Sequence, residues 1–389
     1  MGYTSPRPKV ILRLGMVGGG EGAFIGAVHR IAAAIDGDWS LTCGSFSSDA
    51  GRNARTGATL GLQNDCVYAD ITAMLASERA KPVGERMDAL AIVTPNHLHA
   101  PMAIAALDAG FHVMCEKPMA LNESEAHAIG DAVRRSGKCF ALAFTYAGCP
   151  LVQEARARVA QGDFGTIRLV QVEYLQGWLS EPIDAGGNRQ AEWRTDPTRA
   201  GGAGCLGDIG SHAFHLAEFV SGLRAESICA DLATHVPGRR LDDDATAMLR
   251  FFGGARGVLK ASQVAAGEEN GLKLRIHGER GGLEWTQAEP NSLVLRWLDR
   301  PTEIVRAGGP GMSAPSAKLL RTPAGHPEGY LEAFANLYRG FATEIRHAAG
   351  IDRAESPRFP GLDDGVRSAA FVAAMIANAG SDQKWTPVA

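Results

Sequence analysis

The sequence predicts an α/β protein in two parts: a doubly wound parallel sheet, then an α/β domain built on a large open antiparallel sheet. Three observations predict it. A β-branched, leucine-rich run, Val10–Val17, passes without a break into a glycine loop and then a helical segment. Apolar strands and helices alternate from there as far as Phe144, the rhythm of a parallel sheet covered on both faces. Around Tyr146 that rhythm gives way to a series of alternating segments, the pattern of half-exposed strands. The division is placed between residues 1–145 and 146–389.

The chain of 389 residues is long enough for two such cores. Its 45% hydrophobic and 21% charged residues are ordinary for a soluble globular protein. A net charge of −4 gives no electrostatic footprint for nucleic acid or an anionic membrane. No apolar run approaches membrane-spanning length. The seven cysteines are scattered, odd in number and without a Cys-x-x-Cys pair, which points to a reducing, cytoplasmic compartment and no disulfide framework.

The first strand leads into Gly18-Gly19-Gly20-Glu21-Gly22-Ala23-Phe24-Ile25-Gly26, and Ala27–Ile35 reads as a helix. Strand, glycine loop and helix N-terminus form a phosphate cradle, where main-chain N–H groups and the helix dipole meet a pyrophosphate. Gly18 and Gly20 fit Gly-x-Gly-x-x-Gly, but the third place is Ala23; an insertion that lets Gly26 serve fits as well. The second strand, Ser40–Phe46, ends in Ser47-Ser48-Asp49 with Arg52 beyond. An NAD site expects an acid here for the ribose 2′-hydroxyl, so NAD and NADP both stay open.

Met87–Val93 is a buried-type strand capped by Thr94-Pro95-Asn96-His97-Leu98-His99, and a helix follows over Ala100–Ala109. Phe111–Cys115 is the next strand and ends in Glu116-Lys117-Pro118. A helix over Glu123–Ser136 and a strand over Cys139–Phe144 complete the series. Ligands of such sheets sit at the carboxyl ends of strands, where these three polar segments fall.

The second part opens with a helix, Leu151–Ala160, and a long strand, Thr166–Gln176. Further strands are expected at Ser227–Val236, Ala245–Phe252, Val258–Val264, Leu272–His277, Gly282–Trp285 and Ser292–Leu298. Ala307–Gly329 reads as a loop too long for a simple connection, and Tyr330–Ala348 and Gly365–Ala379 as helices.

Between these strands lies Gly201–Gly222, glycine-crowded at first and then, from Asp208, helical in its apolar spacing. Asp208 and His212 are four apart and His215 three further on, so a helix projects all three from one face. A carboxylate beside an imidazole is a proton-transfer unit. Taken alone, the stretch is more readily read as a helix N-terminal carboxylate with two ordinary core or surface histidines. A metal site is disfavoured, because no further ligand cluster flanks it.

The ordered motifs decide. The glycine loop Gly18–Gly26, Thr94-Pro95-Asn96-His97-x-His99, Glu116-Lys117-Pro118, Asp163-x-Gly165-x-Ile167, Trp193-Arg194, Asp208-Ile209-Gly210-x-His212 and Asp364-Gly365-Val366-Arg367 together resemble the Gfo/Idh/MocA family, named for glucose–fructose oxidoreductase and inositol dehydrogenase. The resemblance covers nearly the whole chain. It implies an N-terminal Rossmann domain, a C-terminal sheet domain, and homodimers or homotetramers packed through that sheet. It also implies catalysis by Lys117, Asp208 and His212. For the cofactor, NAD or NADP, the set is Gly18, Gly20, Phe24, Ile25, Gly26, Ser47, Ser48, Arg52, Thr94, Pro95, Asn96, His97, His99, Glu116, Lys117, Trp193 and Arg194. For a carbohydrate or polyol substrate it is Lys117, Tyr146, Tyr174, Gln176, Asp208, His212 and His215, with Trp178, Trp193 and Arg194 as further pocket candidates.

The expected reaction is hydride transfer between nicotinamide and a secondary alcohol of a sugar, inositol or glycoside. His212, oriented by Asp208, takes the hydroxyl proton, and Lys117 steadies the developing alkoxide. The alternative is a glycoside hydrolase that oxidises its substrate transiently, eliminates the aglycone and returns the hydride.

Overall fold

The computed structural model describes residues 10–351 and 358–388, and the chain forms two compact units. The first unit takes residues up to Ala120, then Ser124–Gly148 and Tyr330–Gly365. Its strands are β1 (Leu12–Gly18), β2 (Trp39–Ser45), β3 (Ala89–Val93), β4 (His112–Cys115) and β5 (Phe140–Leu142). They pair parallel in the order β2-β1-β3-β4-β5. A single parallel bridge between Gly44 and Val67 adds a rudimentary sixth position outside β2. The helices between them are α1 (Phe24–Ile35), α2 (Ala50–Thr59), α3 (Ile71–Ala80), α4 (His99–Asp108) and α5 (Glu123–Ser136).

Helices α2 and α3 were not expected from the sequence. The first buries only Asn53, Thr56 and Gly57, and the second Met74, Leu75 and Glu78, so neither writes a continuous apolar stripe.

The units differ from the division at residue 145, because Tyr330–Gly365 belongs to the first. A long helix there, α11 (Tyr330–Ala348), buries Phe334, Leu337, Tyr338, Phe341 and Ile345 in one cluster with Leu14, Met16, Val28 and Trp39. Trp39 stacks on Phe341 at 5.5 Å and donates its indole N–H to the Tyr338 carbonyl at 3.0 Å. Arg346 and Asp38 form a buried ion pair at 2.8 Å. Periodicity marks α11 as amphipathic, but nothing in its spacing says which core its apolar face joins.

The second unit begins with α6 (Pro150–Ala160) and β6 (Ile167–Leu175), followed by the short helices α7 (Arg189–Arg194) and α8 (Pro197–Ala200) and by α9 (Ser211–Ser221). Strands β7 (Ala225–Ala233), β8 (Asp244–Phe251), β9 (Arg256–Ser262), β10 (Gly271–Gly278), β11 (Gly281–Thr286), β12 (Ser292–Trp297) and β13 (Glu303–Arg306) come next. Helices α10 (Ala314–Ala317) and α12 (Leu362–Ala379) and strand β14 (Thr386–Pro387) complete the elements.

The nine strands form one sheet in the order β13-β12-β11-β10-β6-β9-β8-β7-β14. All neighbours are antiparallel except β6 and β9, which run parallel from Leu169 opposite Arg256 to Leu175 opposite Ser262. The sheet is therefore mixed, not wholly antiparallel: the chain leaves β6, builds α9, β7 and β8, and returns along the same direction. Such a parallel joint needs a long crossover. Every residue of α9 is buried, as expected of a helix surrounded by protein on all sides, and Gly222 closes it at φ 69°. The long segment after β13 is ordered by two buried carboxylates. Glu154 accepts the N–H of Ser313 at 2.9 Å, and Glu328 that of Thr322 at 2.8 Å. Among the described residues no helix is long and apolar enough to cross a membrane.

Candidate active site

In the first unit the strand order reverses between β1 and β3, the place where a doubly wound sheet opens a crevice at its carboxyl ends. The glycine loop leaves β1 there. Gly18 lies at φ 82°, a region that disfavours side chains, and a Cβ on it would sit 2.7 Å from the Val93 carbonyl oxygen. A Cβ on Gly26 would lie 2.3 Å from the Gly19 Cα. Gly26, not Ala23, is thus the residue that lets helix and loop backbones touch, and the loop is longer than the shortest form of the motif. Ala23 supplies no side-chain cap to α1, which leaves first-turn amides and the positive end of the dipole for an anion. This cradle fits the pyrophosphate of a dinucleotide.

At the end of β2 stands Phe46, buried, its N–H donated to Asn53 Oδ1 at 2.7 Å. Ser47 Oγ accepts the N–H of Asp49 at 3.1 Å, and Asp49 Oδ1 caps α2 by accepting the Arg52 N–H at 2.6 Å. The acid of this strand end is engaged in starting a helix, and the adjoining Ser48 is exposed.

After β3, Asn96 is buried in a tight turn over Asn96–Leu98, and His97 Nδ1 is buried with no hydrogen-bond partner among the described residues. His99 serves the scaffold. Its Nε2 lies 2.8 Å from the Thr94 carbonyl and its Nδ1 2.7 Å from that of Pro118, so neither ring nitrogen is available to a cofactor. Burial lowers its pKa, against the pull of the two carbonyls. After β4, Glu116 is buried; its Oε2 accepts the N–H of Lys117 at 3.0 Å and its Oε1 lies 2.9 Å from His29 Nε2. Burial pushes the Glu116 pKa up, but the His29 hydrogen bond, the largest opposing effect, together with neighbouring positive charge such as that of Lys117, outweighs it and holds it lowered. Tyr146 also belongs to this unit, buried in the turn over Thr145–Gly148.

In the second unit, Asp208 does not sit on a regular α-helix. It lies in a wide π-helical turn, Leu206–Gly210, that precedes α9. Such a turn takes in one residue more than an α-turn, so the four-residue spacing to His212 spans a locally unwound start; π-turns recur at functional sites. Asp208 Oδ2 accepts from Arg194 Nε at 3.1 Å and from Gln263 Nε2 at 2.9 Å. The Arg194 guanidinium lies 4.2 Å from the Trp193 ring centroid and 5.9 Å from that of Trp178. Arg194, expected at the cofactor, is an anchor for Asp208 within this unit.

His212 is 8% exposed, with the Tyr174 ring edge-on at 6.1 Å. His215 is buried and stacks on Phe219 at 5.3 Å. Tyr174 and Gln176 both donate to Asn270 Oδ1, at 2.6 and 2.8 Å. Gln176 Oε1 in turn accepts from Trp178 Nε1 at 3.1 Å and Gln263 Nε2 at 3.4 Å. One chain of amides therefore links Tyr174 to Asp208.

The turn itself is held by Asp242, whose two carboxylate oxygens accept the N–H groups of Gly204 and Leu206, each at 2.7 Å. Asp242→Ala strands both amides and should cost about 2 kcal/mol of stability by chemical denaturation; a loss under 0.5 kcal/mol, taken as roughly the scatter of neutral surface changes, would remove Asp242 from this role.

Gln263, Asn270 and Asp242 in the second unit, and His29 in the first, were not expected from the sequence to take part. Gln263 and Asn270 follow β9 and precede β10, where a polar residue at a strand end gives no periodic signal. His29 sits on the apolar face of α1, where a histidine reads as core. Among the described residues no group of three His, Cys, Asp or Glu is placed to hold a metal ion.

Residues 12–144 match an oxidoreductase family with an NAD-binding Rossmann fold, and residues 152–284 match the GFO/IDH/MocA C-terminal domain. A crystal structure of an inositol dehydrogenase homolog complexed with NAD+ from Azotobacter vinelandii superposes with a TM-score of 0.94, at 32% identity over 100% of both chains. A crystal structure of an inositol dehydrogenase homolog complexed with NADH and myo-inositol, also from Azotobacter vinelandii, gives 0.91, at 31% identity over 98% of this chain and 99% of that one. A levoglucosan dehydrogenase from Pseudarthrobacter phenanthrenivorans is 33% identical over 52% of this chain and 56% of its own length.

Proposed function

The chain belongs to the Gfo/Idh/MocA family of NAD(P)-dependent oxidoreductases acting on CH–OH groups, and from that premise we propose that it oxidises a secondary hydroxyl of a sugar, inositol or related polyol. The observation that carries the reading is the anchored Asp208, held by Arg194 and Gln263 at the start of the helix that bears His212. A nicotinamide dinucleotide, held by the Gly18–Gly26 cradle, supplies the hydride acceptor when bound. His212 takes the proton from the hydroxyl as its carbon becomes a carbonyl. Asp208 supplies the negative charge that stabilises the imidazolium so formed, and its two anchors keep it from swinging away. Lys117 donates a hydrogen bond to the substrate oxygen, strongest as alkoxide character develops. The amide chain of Gln176, Asn270 and Gln263, beside the faces of Tyr174 and Trp178, offers the donors, acceptors and flat apolar surfaces that suit a polyol ring.

A screen of sugars, inositols and glycosides with both nicotinamides tests this. Accumulation of NAD(P)H with a polyol supports it. Release of an aglycone without NAD(P)H would replace it by the redox-neutral hydrolase.

The β2 end supports a further expectation. With Ser47, Ser48 and Arg52 there and Asp49 capping α2, both dinucleotides should bind measurably. A preference for NAD beyond about 10³-fold, roughly 4 kcal/mol, in parallel titrations would show that an acid reaches the ribose.

The second unit also supports self-association. Leu169, Met248 and Val258, on β6, β8 and β9, are each more than 40% exposed, an apolar patch that a second copy would cover. A dimer or tetramer is expected by light scattering at micromolar concentration; a monomer would rule it out.

A further inference from the structure

His29 lies on the buried face of α1 with no solvent exposure. Its ring meets Phe334 and Tyr338 of α11 edge-on, at 4.7 and 5.7 Å. Its Nδ1 is 2.7 Å from the Tyr338 hydroxyl and its Nε2 2.9 Å from Glu116 Oε1. Glu116 Oε2 accepts the main-chain N–H of Lys117. Three polar side chains from α1, α11 and the end of β4 thus form one buried line that stops at the Lys117 peptide.

The line has a direction. Burial pushes the Tyr338 pKa far up, so the phenol keeps its proton and donates it to Nδ1. That leaves Nε2–H to donate to Glu116, so a single ring satisfies both neighbours. Burying a carboxylate is costly, and apolar side chains would fill the same space without that cost. Stability alone therefore does not account for the line. What it does is fix the peptide on the amino side of Lys117, while His99 holds the Pro118–Met119 peptide, one further along the chain, through the Pro118 carbonyl.

We propose that His29 and Tyr338 are positioning residues for Lys117, acting through Glu116 to hold the lysine's backbone where its ammonium can meet the substrate oxygen. The inference rests on the reading of Lys117 given above. Misplacing a reacting group by about 1 Å can cost 10²-fold.

The groups that face Glu116 are His29 from α1, Tyr338 beyond it on α11, Lys117 and Cys115 on its own segment, and His99 from the segment after β3. In His29→Phe the largest effects opposing burial disappear, and burial, against the remaining charges of Lys117 and His99, pushes the Glu116 carboxyl up. Three measurements test this. The ¹H–¹⁵N resonance of the Lys117 amide, followed against pH without substrate, should be insensitive to neutral pH in the wild type and should titrate in His29→Phe. Turnover in His29→Phe should fall about 10- to 100-fold and gain an acid limb, with KM for the polyol and Kd for the dinucleotide within about threefold of wild type. His29→Gln, which keeps an N–H for Glu116, should recover most of the loss, and Tyr338→Phe should show a smaller loss in the same direction.

An unmoved Lys117 amide in His29→Phe overturns the proposal, as does unchanged turnover. If His29→Phe does not fold, the same two readings on Tyr338→Phe and His29→Gln decide. If the wild type turns over no polyol, the functional reading fails, and the amide titration alone decides whether the line positions Lys117.

Discussion

His212→Ala is expected to lower turnover by about 10² to 10⁴ while leaving dinucleotide binding nearly intact, the effect of removing a general base. The side chain is held edge-on to Tyr174 at the first turn of a helix buried on every face. Its replacement by alanine takes away the proposed proton acceptor and leaves the glycine cradle's sequence unchanged. Asp208→Asn keeps the shape and removes the charge that favours imidazolium. It should slow turnover and shift the pH profile, and it also weakens the ion pair with Arg194. Lys117→Ala should be as damaging as His212→Ala, since its contribution grows with alkoxide character. His215→Ala should be milder, because that ring lies a turn further along, stacked on Phe219. Single-turnover hydride transfer on folded, cofactor-saturated variants is the measurement. If His212 only packs, its loss destabilises the protein but leaves that rate unchanged, and Lys117 becomes the candidate proton acceptor.

The second large effect is expected at Gly26. In Gly26→Ala the new methyl falls 2.3 Å from the Gly19 Cα, and the obstacle is main chain, which no rotamer change can relieve. Loop and helix must separate, at a cost of about 1–3 kcal/mol, and the first-turn amides of α1 move off the pyrophosphate position. Dinucleotide affinity by calorimetric titration should fall at least about 10-fold, which is 1.4 kcal/mol. Gly22→Asn is the matched control: nothing lies within 4 Å of a Cβ there, and its φ of 83° is one that asparagine tolerates. Affinity in Gly26→Ala equal to that of Gly22→Asn would remove the close approach from the account of the cradle.

Much of the first unit was legible because its signals are local. The run Val10–Val17 and its glycine loop announce a strand, a turn and a helix within a few residues of one another, and the boundaries of α5 and α11 agree with periodicity alone. Helices α2 and α3 were silent because their buried faces are small or polar. The parallel joint between β6 and β9 was invisible for another reason: period-two alternation tells which face a residue occupies and nothing about which strand lies beside it. The same limit hid the partners of Asp208. Its spacing to His212 is written in the chain, whereas Arg194 and Gln263 lie 14 and 55 residues away and meet it only through the fold. His29 was hidden by its own burial, since an imidazole among Val28, Ala32 and Ala33 looks like packing until its two nitrogens are traced.

The return of α11 to the first unit bears on how the protein is made. A ribosome finishes all five strands of the parallel sheet long before it reaches Tyr330, and until then Trp39, Leu14 and Met16 lack the helix that covers them. The amino-terminal sheet must wait, with an apolar face open, while about 180 further residues are synthesised; at roughly 5–20 residues per second that is some ten to forty seconds. Strands β6 to β13 of the second unit lie contiguous and have no such wait; only the two-residue edge strand β14 is made after α11. The body of the later-made sheet, all but its edge strand β14, is therefore expected to form before the first unit gains the helix that covers it. Chaperones that shield exposed apolar surface on nascent chains would find their substrate in that interval, and a truncation before Tyr330 would leave the exposure permanent.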